Sequence, residues 1–170
     1  MSNEKKNFLV TLVAGAVLRA IIVFLPFALL MQITLPDDAY YYFDIALNIA
    51  AGHGVTYDRL GPTNGFHPLW LSILVPFFWL LPKFAAIRVA VALCAAIDVV
   101  NIYLVRRVAG KITGSAKAGN IAAFVYAVNV PVILIVINAM ETAIGVSFFL
   151  LLLLAYLAWR GAWNRKRIFL

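Results

Sequence analysis

Apolar residues fill this chain in long runs, and polar residues gather in a few narrow intervals between them. Phe8 to Ile33 is one apolar run, interrupted only by Arg19 and Pro26. At 1.5 Å per helical residue it is long enough to cross a hydrocarbon core of roughly 30 Å. Pro36 ends it, and Asp37 can cap a new helix that starts at Asp38. From Asp38 to Ala51 the positions Tyr41, Ile45 and Asn48-Ile49 recur near helical spacing, with Asp44 and Asn48 as polar breaks and Gly52 as the stop. That segment is too short and too polar to span, and it reads as an interfacial helix with tyrosines at headgroup level. Phe66 to Leu81 is apolar but short, and Pro82-Lys83 follows it. Lys83–Val105, Ala118–Ile137 and Ala143–Trp159 are the next three spans. The pattern predicts an all-α polytopic membrane protein with about four transmembrane helices and further interfacial helices. It forms a single module over residues 1–170, with a first external loop over residues 34–82.

Composition agrees: 65% of residues are hydrophobic and 12% are charged, against about half and about a quarter in soluble domains. The net charge of +7 does not indicate nucleic acid, because the basic residues flank apolar segments instead of lining an aromatic-interleaved polar face. Their distribution bears on topology. If Phe66–Leu81 crosses, the Arg106–Lys117 cluster lies opposite Lys5-Lys6. If that segment dips in and returns, Lys5-Lys6, Arg106–Lys117 and Arg160–Arg167 all share one side, as the positive-inside rule prefers. Asp37-Asp38 and Glu141 then share the other, external face. The basic start MSNEKKNFLV lacks a small-residue cleavage site and reads as a retained first helix with a cytoplasmic N-terminus. The ending Ile168-Phe169-Leu170, apolar after a basic cluster, reads as the start of a further span in a longer protein.

The polar island Asp37–Trp70 holds most of the candidate chemistry, since charged groups at a membrane boundary are costly unless they pair or work. Asp37 and Asp38 open a helix, where one acid is explained by capping but two exceed that need. Glu141 stands before the last span, either as helix-terminal charge or as a third site acid. His67 precedes Pro68 at the start of the dipping helix, and Asn64-Gly65 before it is a turn signal. His53, between Gly52 and Gly54, reads as a turn residue, and Cys94 as a small core residue. No metal-ligand spacing, phosphate loop or nucleophile elbow is present. Arg19 and Asp98 lie inside different spans at comparable depths of roughly 12–17 Å, and a structural ion pair is the economical reading. Arg88 lies one turn inside the external end of its span, near Lys83, where a cation snorkels to the headgroups or binds a lipid phosphate.

Three strings taken in order carry a family resemblance. They are Asp37-Asp38-Ala39-Tyr40-Tyr41-Tyr42, Asn48-Ile49-Ala50-Ala51-Gly52-His53-Gly54, and Thr63-Asn64-Gly65-Phe66-His67-Pro68-Leu69-Trp70. Together with Ala85-Ala86-Ile87-Arg88 and Met140-Glu141-Thr142, they resemble the N-terminal part of bacterial GT-C glycosyltransferases. That group includes protein O-mannosyltransferase-like, aminoarabinose-transferase-like and arabinofuranosyltransferase-like members. The resemblance implies an inverting enzyme of the cell inner (plasma) membrane, using a polyprenyl-phosphate sugar donor and a glycan, lipid or protein acceptor at the external face. Asp37 would be the general base, with Asp38 and Glu141 shaping the site or holding a divalent cation, the one candidate cofactor. Arg88, His67, Asn64, Tyr41 and Lys83 are the substrate-binding candidates. Physical logic points the same way: a sugar on a lipid phosphate already carries a leaving group, so the protein must supply a base for the acceptor and cations for the phosphate. The alternative is a non-catalytic membrane subunit or a transporter fragment. Transporters favour ionisable groups at the midplane and repeated halves, and here the acids concentrate at one interface with no repeat.

Overall fold

The computed structural model describes the backbone of residues 2–168 and the side chains of residues 2–160. Phe169 and Leu170, read above as part of a further span, lie outside the described residues, as do the side chains of Arg165, Lys166 and Arg167. Every regular element among the described residues is a helix, in the order α1 (Asn3–Val23), α2 (Phe27–Thr34), α3 (Asp37–Ala50), α4 (Pro68–Leu80), α5 (Lys83–Thr113), α6 (Ala116–Val128), α7 (Val130–Val136) and α8 (Thr142–Ile168). Helices α1, α5 and α8 are long and apolar enough to cross a membrane, and α6 with α7 makes a fourth if that bent pair is one span.

Two expected spans are broken. Phe8–Ile33 is not one helix: α1 ends at Val23 and α2 begins at Phe27, with Pro26 in the N-cap position of the second. Proline supplies no N–H and crowds the preceding turn, so the carbonyls before it lose their helical partners. Arg88 replaces them, its Nη1 donating to the carbonyls of Val23 and, at 3.1 Å, Leu25. Ala118–Ile137 likewise splits at Asn129 into α6 and α7, bent by 71°. Pro131 sits in the first turn of α7, and the Asn129 side chain caps that turn by accepting from the N–H of Val132 at 3.2 Å.

Helix α3 starts one residue earlier than expected. Pro36 occupies the N-cap, and no side-chain cap bond is made, so Asp37 is the first helical residue and not the cap. The helix is also less peripheral than its composition suggests, since Ala39, Tyr42, Phe43, Ile45, Ala46 and Asn48 are buried. It stops at Ala51, where Gly52 takes φ +81°, a left-handed conformation that glycine adopts without penalty. Helix α4 lies beside α3 and runs the same way. Tyr42 meets His67 at one end, and Trp79 Nε1 donates to the Ala50 carbonyl at 3.1 Å at the other. With 13 residues, α4 is about 20 Å long, short of a hydrocarbon core of roughly 30 Å.

The remaining helices pack around α5, whose 31 residues run through the basic cluster well past Val105. Its antiparallel pairing with α1 is fixed at both ends. Arg88 holds the end of α1, while Arg106 Nε donates to Asn120 Oδ1 at 2.7 Å and Asn120 Nδ2 donates to the Glu4 carbonyl at 3.0 Å. Lys5, Lys6, Arg106, Arg107, Lys111 and Lys117 therefore belong to one end of the bundle. Helix α8 runs parallel to α5: Asn101 Nδ2 donates to the Ala143 carbonyl at 3.1 Å, and Leu150 packs with Leu104 and Val108 further on.

Between these helices lies the predicted ion pair. Arg19 Nη2 and Nε stand 2.6 and 2.8 Å from Asp98 Oδ2, with both side chains almost fully buried. Arg19 Nη1 donates to the carbonyls of Gly15 at 2.9 Å and Ala127 at 3.1 Å. The other Asp98 oxygen accepts from Tyr126 at 2.5 Å and Asn101 at 3.3 Å. Asn101 Oδ1 in turn accepts from Ser147 at 2.7 Å. One network thus joins α1, α5, α6 and α8, in which the buried charge of Arg19 is paired with Asp98 although its Nη2 makes no hydrogen bond, and pairing is the condition under which buried charge is tolerable.

Candidate functional site

Three segments far apart in sequence supply one polar cluster. Tyr42 comes from α3, four residues after Asp38, so the two share a helix face. Its ring is buried, and its hydroxyl accepts the backbone N–H of His67 at 2.8 Å. His67 is the N-cap residue of α4, held in extended backbone (φ −88°, ψ 113°) as the residue before a proline prefers. Its Nδ1 lies 2.6 Å from Glu141 Oε1 and 2.9 Å from the Tyr42 hydroxyl. The shorter contact is to a carboxylate, so Nδ1–H donates to Glu141 and the phenol is the lesser neighbour. The His67 side chain is 68% exposed and that of Glu141 31%.

Glu141 is positioned by a pinned turn. Trp70, buried in α4, donates from Nε1 to the Ala139 carbonyl at 3.0 Å. Cys94 Sγ donates to the Met140 carbonyl at 3.3 Å, and Ala139 takes a positive φ of 59°. Cys94 is thus the small core residue its setting suggests. Its level on α5 also gives the depth of the cluster, about 9 Å further along the helix than the Arg88 contact with the α1 break, at 1.5 Å per residue. Glu141 Oε2 is shielded from solvent and has no hydrogen-bond partner. Burial pushes the Tyr42 phenol above its ordinary value of 10.0; the His67 N–H opposes it more weakly, and Glu141 and then Asp38 add to the rise. Tyr42 is therefore a neutral donor at physiological pH.

The other candidates divide. Asp37 and Asp38 are exposed at the start of α3. Asp38 lies on the Tyr42 face, and Asp37 about 100° round the helix, where its charge helps burial to raise the Tyr40 phenol. Tyr41 belongs to the neighbouring loop: its hydroxyl meets Thr63 Oγ1, and its ring stands 4.8 Å from that of Tyr57. These residues line an open cavity of about 260 Å³ with Asp58, Gly61 and Pro62. Asn64 is exposed in the stretch leading to His67, and His53 in the Gly52–Gly54 turn. Lys83 is drawn to the middle of α3, its Nζ 2.9 Å from Asp44 Oδ1. Arg88 is not brought to the cluster. It bonds the α1 carbonyls, stacks over Phe27 at 5.8 Å, and lies about 120° round α5 from Cys94, at 100° per residue.

Among the described residues, no three of His, Cys, Asp and Glu stand close enough to hold a metal ion. Sequence reasoning missed Tyr42, which looked like any member of a tyrosine run; its distinguishing sign was its spacing of four from Asp38. It also missed the Asn48 side chain, whose Nδ2 donates to the carbonyls of Thr56 and Tyr57, each at 2.9 Å, and whose Oδ1 accepts from Arg59 Nε at 2.8 Å. That knot fixes the loop between α3 and α4. No known family matches the chain, and neither a curated protein nor a solved structure matches it.

Proposed function

We propose that this protein is a membrane glycosyltransferase that moves a sugar from a polyprenyl-phosphate donor to an acceptor hydroxyl. The observation that carries the reading is the meeting of Tyr42, His67 and Glu141, from three separate segments, with Asp38 on the Tyr42 face of its helix, in one polar patch on an apolar bundle. An apolar bundle gains no stability from assembling exposed charge, so such a patch is best explained by work done there. The residues quoted above as resembling GT-C enzymes open and close α3, lead into α4, lie near the start of α5 and form the turn before α8. In this reading the basic end of the bundle faces the cytoplasm and the cluster faces outward, at the inner membrane of a cell.

Asp37 takes the acceptor proton, having an exposed carboxylate with no hydrogen bond to another described residue. Asp38 and Glu141 set the field of the site. His67 faces the donor phosphate, a role for which Arg88 and Lys83 are committed elsewhere. The acceptor is a hydroxyl of a glycan, a lipid or a protein. The test is sugar transfer by the reconstituted protein from a panel of polyprenyl-phosphate sugars. Asp37→Asn should lower the rate by about 10²–10⁴-fold, the usual loss for a positioned base, and leave membrane insertion unchanged. Full activity in Asp37→Asn with loss in Asp38→Asn moves the base to the cluster-facing neighbour. A parent inactive with every donor returns the protein to the non-catalytic subunit reading.

A further inference from the structure

We propose that His67 is the acid of this site: its imidazolium, held by Glu141, hands a proton from Nε2 to the phosphate oxygen that leaves the sugar. The proposal rests on the glycosyl-transfer reading and assigns a step within it. A carboxylate 2.6 Å from Nδ1 fixes which nitrogen carries the inner proton and leaves Nε2 as the nitrogen open to a ligand. The His67 backbone is clamped as well, by the Tyr42 hydroxyl at 2.8 Å and by Pro68, so the ring is aimed by its surroundings while most of it stays exposed.

The groups placed around the ring are acidic or neutral. From α3 come Asp38 and Tyr42, the first negative and the second neutral. From the turn before α8 comes Glu141, whose second oxygen is buried without a partner and so is compensated chiefly by the imidazolium. Helix α4 itself carries no titratable residue besides its cap. Arg59, Lys83 and Arg88, the nearest cations by sequence, are engaged elsewhere. Glu141 is thus a positioning residue, and His67 the catalytic one.

The step balances. As the bond from the sugar C1 to the phosphate oxygen breaks, its electron pair stays on that oxygen, which takes the proton from Nε2. The acceptor oxygen forms the new bond to C1 and gives its proton to Asp37. Passage of that proton from Asp37 to His67 through water resets both groups. Placing an acid and a base with opposite working protonation states in one site is what a transfer near neutral pH requires.

The test uses the full chain in lipid nanodiscs with the same panel of polyprenyl-phosphate sugars, measuring kcat and KM against pH. The parent should lose rate on the alkaline side as His67 loses its proton. His67→Gln should lower kcat by roughly 10²–10³-fold with little change in KM, and its alkaline limb should vanish. Glu141→Gln should move that limb to lower pH, because the imidazolium loses its counter-charge. The chain has 2 histidines, so ¹⁵N spectra with His53→Gln for assignment read the same shift without substrate. An active parent whose His67→Gln variant keeps the alkaline limb overturns this proposal alone. A His67 titration unmoved by Glu141→Gln overturns it too, since a mere pin between α4 and α8 needs no such coupling. A parent inactive with every donor overturns the glycosyl-transfer reading and this step with it.

Discussion

Arg19 shares its guanidinium among a carboxylate and two helix carbonyls, and each of those acceptors belongs to a different part of the bundle or to its own preceding turn. Removing Asp98 would leave that cation buried with no counter-charge. Asp98→Leu should therefore cost about 3–5 kcal/mol, the range for breaking a buried pair on one side. Arg19→Leu with Asp98→Leu should recover much of the loss, since no isolated charge remains. Thermal unfolding in detergent checks both, and a double variant as unstable as the single one would show that the wider network matters more than the pair. The pair was legible in sequence because two lone charges at matching depths in an apolar chain have few other partners. Arg88 was not, because its partners are backbone carbonyls of Val23 and Leu25 freed by a proline 62 positions away in the chain, and no side-chain pattern encodes a carbonyl. Glu141 and His67 were both candidates in the sequence, where charge distribution put Glu141 on the expected face of Asp37-Asp38. Their direct contact depends on the Ala139 turn, whose positive φ no residue type there announces.

Element identity followed from hydropathy, while element breaks followed from local chemistry that hydropathy averages away. Pro26 and Asn129–Pro131 each sit inside a run that reads as one span, and each divides it into a long and a short helix. Proline was visible in both places, but whether it kinks or ends a membrane helix depends on what repairs the freed carbonyls. Close helix crossings depend on glycine in the same concealed way. At Gly119 of α6, a Cβ would stand 2.7 Å from the Arg106 carbonyl oxygen, which is backbone and cannot swing aside. Gly119→Ala should force α6 away from α5 and cost about 1–3 kcal/mol, as overpacking does. Gly145 of α8 meets nothing within 4 Å, so Gly145→Ala should be neutral or stabilise by up to about 1 kcal/mol through helix propensity. The two substitutions are chemically identical, and their opposite signs in unfolding experiments would locate the tight crossing. Equal effects would mean that α6 can slide along α5 without loss.

For the whole molecule, the arrangement of ends decides whether the candidate site can act as one site. Arg88 ties the start of α5 to the end of α1, and Asn120 with Arg106 ties the opposite ends together. The basic residues of α1, α5 and α6 consequently gather at one end, with the short α4 turning back on the other side before α5 begins. By the positive-inside rule we propose that this end faces the cytoplasm and the Lys83 end faces out. The large exposed side chains of α8, such as Phe149 and Leu152, then meet lipid, where their exposure carries no penalty. Cysteine labelling can read this directly, because the native Cys94 is fully buried and contributes little background. Lys83→Cys should react with a membrane-impermeant maleimide in intact cells, whereas Lys111→Cys should react only after permeabilisation. Both positions are exposed, so a failure to label would not come from burial within the protein. Labelling of both from the same side would separate the two ends of α5 from the two faces of the membrane. It would also remove the common external face on which Asp37, Asp38, His67 and Glu141 are proposed to meet their substrates.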